Sequence, residues 1–89
     1  MFERCEQGII GFPIFKRGDT VGFRFIPGIG EEERFFVGTV FIVDPHGTFE
    51  QSDEPSYDIM VENFRNKGPC LVKHIRESSC YKEVNDADN

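Results

Sequence analysis

Two histidines and three cysteines are the residues of this 89-residue chain best suited to chemistry. His46 stands in Asp44-Pro45-His46-Gly47, and His74 follows Lys73 near the end of an apolar run. With Asp44 they would supply the imidazole and carboxylate ligands that divalent metals take. No H-x-x-x-H or similar spacing joins them, so the sequence predicts no metal and no cofactor. Cys70 precedes His74 by four positions. On a strand that puts both on one face but about 13 Å apart, too far for a thiolate–imidazole pair. Cys5, Cys70 and Cys80 make an odd count without C-x-x-C. Free thiols are expected rather than a disulfide framework or zinc ribbon, although Cys70 and Cys80 would be able to pair across neighbouring strands. Ser78 and Ser79 have no base nearby. The "PGIGEEE" loop does not lead a strand into a helix, and its glutamates would repel phosphate. "QSDEPS" lacks the calcium-loop register. The residues therefore predict no enzyme.

The elements that would position these side chains are strands. "TVGFRFI" alternates, with Val21, Phe23 and Phe25 on one face. "RFFVGTVFIVD", residues 34–44, is β-branched and aromatic nearly throughout. Its two faces are both apolar, which predicts a central strand buried on both sides, and Gly38 predicts a bulge or sharp bend. "YDIMVE" resumes the alternation with Tyr57, Ile59 and Val61. "CLVKHI", a single turn at "RESS" and a closing "CYKEV" follow. Five strands at roughly ten-residue spacing, with no helix, predict an all-β sandwich or barrel.

Before them, residues 1–15 read as an irregular, apolar lead-in punctuated by Gly8, Gly11 and Pro13. It is expected to pack on the domain as cover or as a short edge strand, in the same chain or on a second copy. Residues 85–89 read as a frayed acidic tail.

One domain is the most that 89 residues make. Ten phenylalanines and no tryptophan supply the core; those on strands, Phe23, Phe25, Phe35, Phe36 and Phe41, are expected inside. The net charge of −6 is concentrated between residues 31 and 62, where nine acids face Arg34 alone. That middle would repel a phosphate backbone, which makes nucleic acid an unlikely partner. Such a partner would need Lys16, Arg17, Arg24, Lys73, Arg76 and Lys82 on one face. The longest apolar run is too short to span a bilayer, and the N-terminal Glu3, Arg4 and Glu6 do not make a secretory signal. A cytoplasmic protein is expected.

Three pieces of the chain resemble SH3-like small barrels, the fold of SH3, Tudor and KOW-type domains. "KRGDTVGFRF" looks like a "G-D-x-V" entry to the first barrel strand. "FFVGTVFIVD" looks like the second, and "CLVKHIRESSCYKEV" like the ending: a strand, a 3-10 turn and a closing strand. The resemblance covers residues 16–84 and implies a five-stranded, partly open barrel. The chain is also similar to short bacterial proteins with a "YDI…V…KHI" ending, a likeness that implies a fold and no activity. No tryptophan or "ALYDY"-like run is present for a polyproline groove, and only Phe49, Tyr57 and Tyr81 would be available for a methyl-lysine cage.

The connection 44–56 is longer than a hairpin needs, and long loops on small barrels build binding surfaces. The expected partner-binding residues are His46, Phe49 and Tyr57 on or beside it, with His74 and Arg76 from the neighbouring basic segment. Phe49 and Phe64, in loops, either tuck back over the barrel or wait for a partner. The predicted role is a non-enzymatic module that binds a protein partner or self-associates, with a homodimer possible through the lead-in.

Overall fold

The computed structural model describes residues 1–5, 8–48 and 53–84. The expected acidic tail and Phe49 lie outside the described residues. Among the described residues six strands form: β1 (Phe2–Arg4), β2 (Thr20–Phe25), β3 (Arg34–Asp44), β4 (Ser56–Val61), β5 (Cys70–Arg76) and β6 (Cys80–Glu83). They make one antiparallel sheet in the order β1-β6-β2-β3-β4-β5. The fold is all-β, and a 3-10 turn at Glu77–Ser79 separates β5 from β6. The strand count is six rather than five. The extra strand comes from the lead-in, where Phe2, Glu3 and Arg4 pair with Glu83, Lys82 and Tyr81.

The core lies on one face of the sheet, where alternate residues of β2, β4 and β5 meet. Phe23, Val21, Tyr57 and Ile59 are fully buried, and Phe15 and Cys5 of the lead-in join them. Phe64 tucks back, stacking on Phe36 with ring centroids 5.0 Å apart. The lead-in contributes less than its composition predicts. Ile9, Ile10, Phe12 and Ile14 remain exposed, because this segment is held by its backbone and by Cys5 and Phe15.

β3 departs most from expectation. It is central in the sheet but is not buried on both sides. Phe35, Val37, Phe41 and Ile42 are each 42–43% exposed. The bulge falls between Val40 and Ile42 instead of at Gly38. One extra residue, Phe41, reverses the alternation, so that Val40 and Val43 both turn inward while Ile42 and Asp44 turn outward. Gly38 serves another need, since a Cβ there would strike the Met60 carbonyl oxygen.

Cys70 and Cys80 are not neighbours, because β5 and β6 sit at separate places in the sheet. Cys80 lies instead beside Cys5, whose N–H donates to the Cys80 carbonyl at 3.0 Å, and all three thiols are free. Among the described residues no helix is long and apolar enough to cross a membrane.

Candidate functional site

The C-terminal end of the 44–56 connection is built into the fold by two buried acids, Glu54 and Glu77. Tyr57 begins the inward alternation of β4 and packs edge-on against Phe15, with centroids 5.4 Å apart. Its hydroxyl donates to Glu77 Oε1 at 2.5 Å and accepts from the Phe15 N–H at 3.3 Å. Glu77 Oε1 also accepts the Ile14 N–H at 3.0 Å. Glu54 accepts from the N–H and the hydroxyl of Ser78, at 2.7 and 2.9 Å. These carboxylates satisfy backbone groups that the turns leave unpaired. Tyr57 is thus a core residue and presents no surface to a partner.

Arg76 lies 3.4 Å from Asp53 and 3.9 Å from Glu54. It neutralises the acidic end of the connection within the chain. His46 is exposed in its turn, above the lead-in, where the Gly11 N–H donates to the Pro45 carbonyl at 2.8 Å. His74 is exposed on β5, beside Asp58. The spacing of His46, His74 and Asp44 predicted no metal site, and those three do not assemble as one. Asp44, Asp58 and His74 do come together, with ligand atoms within 4.8 Å of one another.

Sequence reasoning missed Asp58 as well as Glu54 and Glu77. An aspartate in "YDIMV" reads as the solvated side of an alternating strand, yet Asp58 is buried. The only hint was its place between two apolar residues that face the core.

Burial and neighbouring carboxylates push the thiols of Cys80 and Cys5 above the ordinary 9.0. Burial, and then the hydrogen bond to Glu77, push the Tyr57 phenol above 10.0. All three stay protonated in the folded chain after their unfolded counterparts ionise. The unfolded state then binds fewer protons, so stability falls as pH rises above about 9, and more steeply beyond about 10. Urea unfolding from pH 7 to 11 should show this decline. A Cys80→Ser variant should lose less stability than the parent over the same range. Equal slopes would remove Cys80 from the account.

The outward face of β1, β6, β2 and β3 is a second candidate surface. Phe35 packs between Phe2 and Tyr81, with centroids 5.4 and 5.3 Å away, in the space that Gly22 leaves open. Arg24 donates to the Tyr81 hydroxyl at 2.8 Å and faces Glu33 at 3.8 Å. Arg17 lies 5.2 Å over the Phe41 ring. Rings, aliphatics and charges of both signs therefore share this face. Lys82, paired in register with the inward Val21, leaves from the opposite face to Arg24.

Compared with known proteins, the chain matches no family model, no curated protein and no solved structure.

Proposed function

We propose that this chain is a non-enzymatic interaction module of SH3-like type that self-associates through the outward face of β3. The observation that carries it is the row of Phe35, Val37, Phe41 and Ile42, each 42–43% exposed on a central strand. Exposed apolar side chains gathered on one face of a small protein mark a surface for association. The return of β6 past a 3-10 turn to pair with β2, the first strand of the meander, supports the barrel reading.

The occupant is a second copy of the chain. The lead-in carries its own exposed apolar group, Ile9, Phe12 and Ile14. A two-fold arrangement that lays one copy's lead-in on the other's β3 would cover both patches twice. Arg24 and Glu33 at the rim give each copy both signs of charge to offer. A nucleic acid fits this surface less well. Arg24 and Lys82 point from opposite faces and Arg76 is engaged with Asp53, so the six basic residues do not join into one patch.

Sedimentation of the whole protein at micromolar concentration tests this. A dimer is expected. Val37→Lys, at an already exposed position, should weaken it by about tenfold or more while leaving the melting temperature of the monomer nearly unchanged. Ile9→Lys should act in the same direction. A wild-type protein that stays monomeric throughout would overturn self-association and leave a different protein as the occupant of the face.

A further inference from the structure

Asp58 occupies an unusual place in the sheet. Both strands beside it carry an extra residue at its level. In β3, Val40 pairs with Ile59 and Ile42 with Asp58, so Phe41 is the inserted residue. In β5, Val72 pairs with Ile59 and Ile75 with Tyr57, so Lys73 and His74 together oppose Asp58. Each bulge changes which face the following side chains take. Without the first, Asp44 would point into the core; without the second, His74 would oppose Tyr57 there. With both, Asp44 and His74 share the outward face with Asp58, and their ligand atoms lie within 4.8 Å of one another.

Two groups on this face lack a matching partner. Asp58 is buried, and among the described residues no lysine or arginine pairs with it. It accepts the His74 N–H at 3.0 Å, and the His74 Nδ1 is 3.8 Å from the same oxygen. Ser56 pairs directly with Asp44 and lies two residues before Asp58, so it shares their face. Its side-chain oxygen is fully buried and, among the described residues, has no hydrogen-bond partner. Buried carboxylates are paired or coordinate metals, and an orphaned buried hydroxyl calls for a partner such as a water or an ion.

The geometry points to a divalent transition-metal site formed by Asp44, Asp58 and His74, with the Ser56 hydroxyl as a fourth ligand or as the holder of a bound water. Two carboxylates and one imidazole suit Zn²⁺ or Mn²⁺ better than Mg²⁺, which takes oxygen alone. The cation would supply the positive charge that Asp58 lacks. It would also tie β3, β4 and β5 together at the base of the 44–56 connection.

The test is calorimetric titration of the whole protein with Zn²⁺, with Mg²⁺ as the comparison. One saturable Zn²⁺ site per chain is expected, with no comparable Mg²⁺ heat. Asp44→Asn and His74→Asn should each weaken Zn²⁺ binding by about tenfold or more. Asparagine is chosen at position 74 because the backbone there is left-handed, with φ 61°, which asparagine tolerates. Ser56→Ala separates a ligand from a packing role: it should raise the metal-free melting temperature by removing an orphaned hydroxyl, yet lower the Zn²⁺ affinity. Mn²⁺ should broaden the amide resonances of Asp58 and His74 before those of His46. Absence of saturable Zn²⁺ binding would overturn the proposal. So would binding that Asp44→Asn and His74→Asn both retain, since the metal would then sit elsewhere, at Cys70 or His46.

Discussion

Gly38→Ala is expected to unfold much of the protein at temperatures where the parent is intact. Gly38 pairs with Val21 of β2 and faces inward from the middle of β3. An added Cβ would run into the Met60 carbonyl oxygen and come within 2.7 Å of Ile59 Cγ2. Neither neighbour can give way cheaply. Met60 is fixed between Thr39 and Leu71 in the sheet, and Ile59 is fully buried. Forcing one carbon into such a site costs about 3 kcal/mol. A domain of this length holds on the order of 5–10 kcal/mol in all. The melting temperature should therefore fall by roughly 12–24 °C. Two other glycines provide the contrast. At Gly22 the nearest atoms belong to the rings of Phe35 and Phe2, the first of them exposed and both on the outer face, where they are able to turn aside. At Gly30 an added Cβ meets nothing within 4 Å among the described residues, and the backbone φ of +79° sets the penalty, about 1–2 kcal/mol. Urea denaturation of the three alanine variants should rank Gly38 as the most damaging by a clear margin. A Gly38→Ala protein within about 1 kcal/mol of the parent would mean that the sheet yields at its centre.

Period-two alternation made the strands legible. The run from Arg34 to Asp44 has the same bounds in sequence and structure, because its β-branched and aromatic residues leave no competing element. The single turn before the last strand was equally clear from "RESS" between two apolar runs. What composition could not convey was which side each residue takes. Alternation determines faces only while the register holds, and Phe41 and the Lys73-His74 pair each break it. That is why Ile42 and Phe35, assigned to opposite faces of β3 by alternation, end on the same one. It is also why Asp44, Asp58 and His74 meet although nothing in their spacing says so. Bulges arise from backbone pairing between distant strands and leave little trace in either strand alone. The lead-in is a parallel case. Its apolar residues suggested burial, but its attachment rests on backbone N–H groups: those of Gly11 and Cys5 donate to distant carbonyls and that of Ile14 to the distant Glu77 carboxylate, none of which the lead-in's own side chains encode.

That attachment makes Glu77 the side chain whose loss should be felt over the longest distance. Its Oε1 accepts from the Tyr57 hydroxyl and from the Ile14 N–H, joining the lead-in, β4 and the 3-10 turn at one atom. Glu77→Ala leaves both donors buried without an acceptor and opens a cavity beneath them. A charged acceptor of this kind contributes about 1.5–3 kcal/mol per bond, so a total loss near 3–5 kcal/mol is expected. Glu77→Gln keeps an acceptor oxygen in place and should cost less than half as much. Tyr57→Phe removes one donor to Glu77 and orphans the Phe15 N–H, for about 2 kcal/mol. The double variant Tyr57→Phe, Glu77→Ala should then lose clearly less than the sum of the singles, because the phenol no longer has to be buried unpaired. Hydrogen exchange locates the effect. In Glu77→Ala the amides of Ile14 and Phe15 should exchange faster, by about a hundredfold or more, than the global loss of stability requires, while those of Val21 and Ile59 follow that loss. If the lead-in amides merely track the global change, the segment is held by β1 and Phe15 alone, and Glu77 is one buried acid among several.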